Sequence, residues 1–110
     1  MKNKVILIAK KDCHFCEVLM VELTEIHKLK PYIIMDHVAP DLFNDFSKHF
    51  GIKRYPAVQI DTGEEFITIH MDKTHPGNDP KYILVENIEH MLNKTLEFIS
   101  NEYDMLKVWI

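Results

Sequence analysis

The sequence predicts an α/β domain built on a central mixed sheet of four strands with helices on both faces. Three observations predict it. Short runs rich in Val and Ile alternate with helical patterns in the order β-α-β-α-β-β-α. The first run, Val5-Ile6-Leu7-Ile8-Ala9, is apolar without interruption, as a strand covered on both faces requires. And 46% of the 110 residues are hydrophobic, enough to bury a core without disulfide staples in a chain that has only two cysteines. Residues 1–110 are read as one domain, with 101–110 an apolar extension expected to dock on it.

Each element follows from local chemistry. The first strand runs into Lys10-Lys11-Asp12-Cys13-His14-Phe15-Cys16, and a helix follows to near Lys30. Cys16, Leu19, Leu23 and Ile26 recur at three- and four-residue spacing, which makes one apolar stripe. Lys28 and Lys30 suit the negative end of the helix dipole, and Pro31 ends the helix. Tyr32 to Val38 reads as the second strand. Pro40 suits the first position of a second helix, running to about Phe50 with Leu42, Phe43, Phe46 and Phe50 inward and Gly51 as its stop.

Pro56 holds Tyr55 in extended geometry, so Gly51 to Pro56 is a loop. Ala57 to Asp61 and Glu65 to His70 form a hairpin about Thr62-Gly63. A polar linker, Asp72 to Asp79, precedes a third helix, for which Asp79-Pro80 supplies an N-cap and a first-position proline. Leu84, Ile88, Met91, Leu92, Thr95 and Ile99 would form its inward face. The last ten residues either continue this helix or fold back. Met105, Leu106, Val108, Trp109 and Ile110 are too apolar for a free tail.

The charge balance narrows the partners. With 13 Lys and Arg against 17 Asp and Glu, the net charge is −4, which does not suit a protein that binds nucleic acid by neutralising phosphates. No apolar run approaches the roughly 20 residues needed to span a bilayer, and Val5 to Ala9 is too short for the core of a signal peptide. A cytoplasmic monomer is expected, in a reducing compartment where a Cys-x-x-Cys is more often catalytic or metal-binding than structural.

The cysteine pair carries the chemistry. A thiolate, not a thiol, attacks a disulfide, so a reactive cysteine needs a lowered pKa. Cys13 falls at the N-terminus of the first helix, where free N–H groups and the dipole favour negative charge, with Lys10 and Lys11 nearby. Asp12 opposes them unless its side chain caps the helix. Cys16 lies one turn inside, less exposed, where it suits a resolving role; three residues on a helix bring both sulfurs to one side. His14 and Phe15 tune access and potential, and His14 reads as an exposed turn residue rather than a general base.

A strand, then Cys-x-x-Cys opening a helix, then Tyr55-Pro56 just before a hairpin, resembles the thioredoxin superfamily over about residues 4 to 100. Starting directly on the motif strand is similar to glutaredoxins. The resemblance implies a thioredoxin-like fold and a dithiol–disulfide oxidoreductase that reduces protein or glutathione mixed disulfides. It implies that Pro56 is cis and lies against the cysteines, with Tyr55 offering its backbone to an extended substrate segment. It implies that Lys10 matches a basic residue used on a glutathione carboxylate. No tightly bound cofactor is implied; glutathione or a thioredoxin reductase would be the reductant, and disulfide-containing proteins, a ribonucleotide reductase among them, the partners. Phe15 keeps the aromatic position of the family's Cys-Pro-Tyr-Cys, whereas His14 replaces its proline. Arg54-Tyr55 replaces its threonine-valine, and its Gly-Gly turn has no counterpart between Ile67 and Met71.

Two readings from other classes stay open. Cys13, Cys16, His70 and His75 could make a Cys₂His₂ zinc set, although the histidines are remote and the chain has seven of them. Alternatively the fold serves as a binding module without turnover, with Tyr103, Trp109 and Ile110 as contacts.

Overall fold

The structure, a computed structural model, describes residues 3–73 and 81–109, and the side chains of its last helix as far as residue 99. The sheet is built outward from β1, Lys4–Ala9, whose Ile6, Leu7, Ile8 and Ala9 are all buried. An unbroken apolar strand demands cover on both faces, and β1 has it. Parallel to it on one side lies β2, Tyr32–Met35, with Ile8 opposite Ile34. On the other side β3, Ala57–Asp61, runs antiparallel, with Leu7 opposite Val58. The hairpin expected about Thr62-Gly63 continues the sheet into β4, Phe66–His70. Gly63 has a φ of 89°, a left-handed geometry in which glycine carries no Cβ penalty.

The sheet has five strands rather than four. Lys81–Leu84 forms β5, parallel to β4, and gives the order β2-β1-β3-β4-β5. The third helix therefore does not begin at Asp79-Pro80, residues that lie outside the described ones, as does most of the polar linker. It begins at Ile88, where the Asn87 side chain accepts the His90 N–H at 2.8 Å as an N-cap. Leu84, expected on the inward face of that helix, lies instead on the edge strand and is 46% exposed.

Alternation along the strands sorts the core into two layers. Leu7, Ala9, Val58, Ile60, Ile67 and Ile69 face one side, under α1 (His14–Val21) and α3 (Ile88–Trp109), with Cys16, Leu19, Leu23 and Met91 packed on them. Ile6, Ile8, Ile34 and Ala57 face the other, under α2 (Pro40–His49), with Phe43, Phe50 and Ile52. Helices thus cover both faces. The backbone of α3 continues as helix to Trp109, so the chain end does not fold back before that residue; the side chains expected to dock lie outside the described ones.

Two inward assignments and one strand end are corrected by local geometry. After Val21 the first helix changes to a π-helical turn, Glu22–Ile26, closed by a bond from His27 N–H to the Glu22 carbonyl. The wider turn shifts the helical phase, and Ile26 leaves the stripe at 59% exposure. Leu42 is also turned outward, at 44% exposure, because Phe43 and Phe50 fill the space under α2. And β2 stops at Met35, whose carbonyl accepts from both Val38 and Ala39 in a turn that leads directly into α2. Among the described residues no helix is long and apolar enough to cross a membrane.

Candidate functional site: the Cys13–Cys16 pair and the Tyr55–Pro56 loop

Cys13 and Cys16 are joined as a disulfide, their Cα atoms 5.2 Å apart. The local fold explains their placement. Asp12 adopts a φ of 58°, turning the chain sharply after β1, and Cys13 returns to extended geometry before the helix begins. Cys13 is itself the N-cap: its sulfur accepts the Cys16 N–H at 3.3 Å. Asp12 does not take that role. Cys16 is fully buried among Leu19, Leu7 and Met91, while Cys13 is half-buried. The pair is thus asymmetric, with one sulfur reachable and one enclosed.

The loop before β3 reaches the same place. The Tyr55–Pro56 peptide bond is cis, Pro56 is buried, and the Tyr55 carbonyl oxygen lies 3.8 Å from the Cys13 sulfur. The Tyr55 ring stacks on Phe43 of α2 at 5.1 Å between centroids, and its hydroxyl shares a 2.6 Å hydrogen bond with Ser47. The Lys10 ammonium stands 5.0 Å above that ring, where the electron-rich face attracts it. Lys10 and Cys13, from the turn after β1, therefore meet Tyr55 from the loop before β3.

The remaining expected residues sit at the rim. Lys11 has an exposed side chain, but its backbone N–H is fixed by Asp36 Oδ1 at 3.0 Å. That bond, foremost, holds the Asp36 carboxyl below its usual 3.8; desolvation opposes it, and His37, 3.5 Å away, adds to it. His14 and Phe15 both point to solvent, their rings 5.7 Å apart, and Phe15 is 58% exposed. An exposed phenylalanine beside the cysteine pair leaves an apolar surface at its rim.

Four supporting residues were not singled out from sequence: Asp36, Phe43 in its stacking role, Ser47 and His70 in its loop role. Asp36 had a detectable signal, because a strand parallel to β1 must deliver the residue after Met35 beside the residues after Ala9. His70 ends β4, completely buried, and its Nε2 accepts the backbone N–H groups of Lys53 at 3.3 Å and Arg54 at 3.5 Å. Burial, above all, pushes its pKa below the usual 6.5; Asp72 opposes that shift, and Arg54 and Lys53 reinforce it.

The zinc grouping does not assemble among the described residues, where no three His, Cys, Asp or Glu side chains gather in a way that could hold a metal ion. By strand alternation His70 faces the α2 layer, whereas Cys16 belongs to the α1 layer; His75 lies outside the described residues. No protein-family model matches the chain, and comparison with curated proteins finds no match.

Proposed function

We propose that the protein is a thiol–disulfide oxidoreductase of glutaredoxin-like type on a thioredoxin-like fold, with Cys13 as the attacking thiol and Cys16 as the resolving one. One observation carries the reading. The half-buried Cys13 sulfur caps α1, accepts the Cys16 N–H and lies 3.8 Å from the Tyr55 carbonyl, beside a fully buried Cys16. A sulfur that caps a helix is favoured as an anion, because the N–H groups and dipole at that end complement negative charge.

The steps follow from this asymmetry. The Cys13 thiolate attacks one sulfur of a disulfide R–S–S–R′, forms Cys13–S–S–R and expels R′–S⁻, which takes up a proton. Cys16, having lost its thiol proton, then attacks the Cys13 sulfur, forms the internal disulfide and expels R–S⁻, which is protonated in turn. Two electrons pass from the dithiol to the substrate disulfide, and an external thiol reductant returns them. The Tyr55 backbone and the exposed Phe15 would border the substrate, and the Lys10 ammonium, steadied over the Tyr55 ring, would attract a carboxylate such as that of glutathione.

The test is a coupled disulfide-reduction assay, run once with glutathione and glutathione reductase and once with thioredoxin reductase. Turnover with glutathione, lost in Cys13→Ser, is the expected result. Turnover only with thioredoxin reductase would make the protein a thioredoxin-like electron donor. Turnover in neither would overturn the proposal in favour of a binding module, and full activity in Cys13→Ser would overturn the assignment of Cys13 as the attacking thiol.

A further inference from the structure

The imidazole of His70, at the end of β4, reaches the backbone of the loop that precedes β3. It is completely buried, and its Nε2 accepts two consecutive backbone N–H groups, those of Lys53 and Arg54. An atom that accepts has no proton, so the neutral ring carries its proton on Nδ1. Nδ1 is buried too and has no hydrogen-bond partner among the described residues. The next residue in the loop after Arg54 is Tyr55, whose carbonyl touches the Cys13 sulfur and whose ring carries Lys10. One side chain thus anchors the backbone immediately before the substrate-facing residue.

We propose that His70 is a positioning residue for the Lys53–Pro56 loop, and that protonating its imidazole releases this loop from β4 and weakens substrate binding beside Cys13. Protonation places a hydrogen on Nε2, where it faces two N–H donors at once. Both accepted bonds are lost and replaced by repulsion. The groups around the ring set how readily this happens. The Lys53 and Arg54 side chains oppose a second positive charge, Asp72 beyond the end of β4 favours it, and Tyr82 of β5 presents its ring at 6.3 Å. The Tyr82 hydroxyl donates to the Phe50 carbonyl, and His49, at the end of α2, is exposed and edge-on to Phe50. Burial of the imidazole keeps it neutral at pH 7, so the loop is held there and freed on acidification.

This inference rests on the proposed oxidoreductase site, and its test separates the two. Oxidised wild-type protein labelled with ¹⁵N is titrated by NMR from pH 7.5 downward until the His70 ring is protonated, following the imidazole nitrogens together with the Lys53, Arg54 and Tyr55 amides. The expected result is a neutral His70 protonated on Nδ1 at pH 7.5, and one common midpoint for the ring and all three amides, absent in His70→Gln. A ring protonated on Nε2, or amides that do not move with it, would overturn the inference whatever the activity. In the coupled assay, KM of the wild type should rise as pH falls below 6.5, by roughly tenfold once the ring is protonated, the scale of losing one or two modest hydrogen bonds. KM of His70→Gln, which keeps an acceptor but cannot be protonated, should change by less than about twofold, and an equal rise in both would also overturn it. Coupled NMR titrations with no turnover under any reductant would leave the positioning role standing and remove the oxidoreductase reading.

Discussion

The Asp36 carboxylate accepts the backbone N–H of Lys11 at 3.0 Å, and so ties the end of β2 to the turn that presents Cys13. The contact works on the backbone of the motif, not on its sulfurs. Asp36→Ala should lower kcat/KM for disulfide reduction by about three- to fivefold, in line with one modest hydrogen bond, and Asp36→Asn, which keeps an acceptor, should restore most of it. The Asp36 carboxyl is held below 3.8 in the folded chain. Its contribution is therefore complete above pH 3.8 and lost as pH falls through the lower folded value. The effect of Asp36→Ala should be constant from pH 6 to 8; a strong dependence in that window would assign the effect to another group.

Ser47 and Tyr55 share a single hydroxyl–hydroxyl bond, so either partner's loss removes the same interaction. Ser47→Ala and Tyr55→Phe should each cost about 1 kcal/mol of unfolding free energy in urea denaturation, with the double variant costing little more than either. Tyr55→Phe retains the stack on Phe43 and the ring under Lys10, whereas Tyr55→Leu loses both. Only the second should raise KM for an anionic disulfide substrate.

Cys16 lies buried behind Cys13, and in the proposed mechanism it is the thiol that resolves the mixed disulfide. Cys16→Ser should trap a covalent adduct when mixed with a disulfide substrate, visible by intact mass spectrometry as the chain plus one substrate half and reversed by dithiothreitol. Absence of an adduct at pH 8 would contradict the assignment of Cys13 as the attacking thiol.

His70 also makes stability depend on pH. Its folded pKa is lower than its unfolded 6.5, so between the two values the unfolded chain binds more protons. Stability therefore rises with pH across that interval. Full stability is present above about pH 6.5 and is lost as pH falls through the folded value. The wild-type Tm should decline from pH 7 to 5 more steeply than that of His70→Gln, as measured by calorimetry at matched ionic strength.

Most of the architecture is legible in the pattern of residues. Val5 to Ala9 announces a buried strand, Pro40 and Gly51 bracket α2, and Thr62-Gly63 marks the hairpin turn. The cysteine pair at a helix start, with Tyr55-Pro56 before the hairpin, can be read the same way. What escapes local reading is short or depends on distant partners. Lys81–Leu84 has four residues, too few for its period to separate a strand from a first helical turn; only its ladder with β4 decides. Asn87 is a genuine cap, but Asp79-Pro80 offers a more conspicuous start upstream. Ile26 is turned outward by a π-helical turn that three- and four-residue spacing does not foresee. Asp36, Ser47 and His70 act through chain crossings, which no single stretch encodes.

The N-cap of α1 is the same atom that would gain and lose a covalent partner. A serine or aspartate cap would hold the helix equally well in every redox state; a sulfur cap cannot, because its capacity to accept the Cys16 N–H is greatest as a thiolate and smaller in a disulfide. The oxidation state is thereby written into the grip of one backbone amide. Under the proposed chemistry the helix start would gauge the electrons stored in the pair, one residue away from the exposed Phe15.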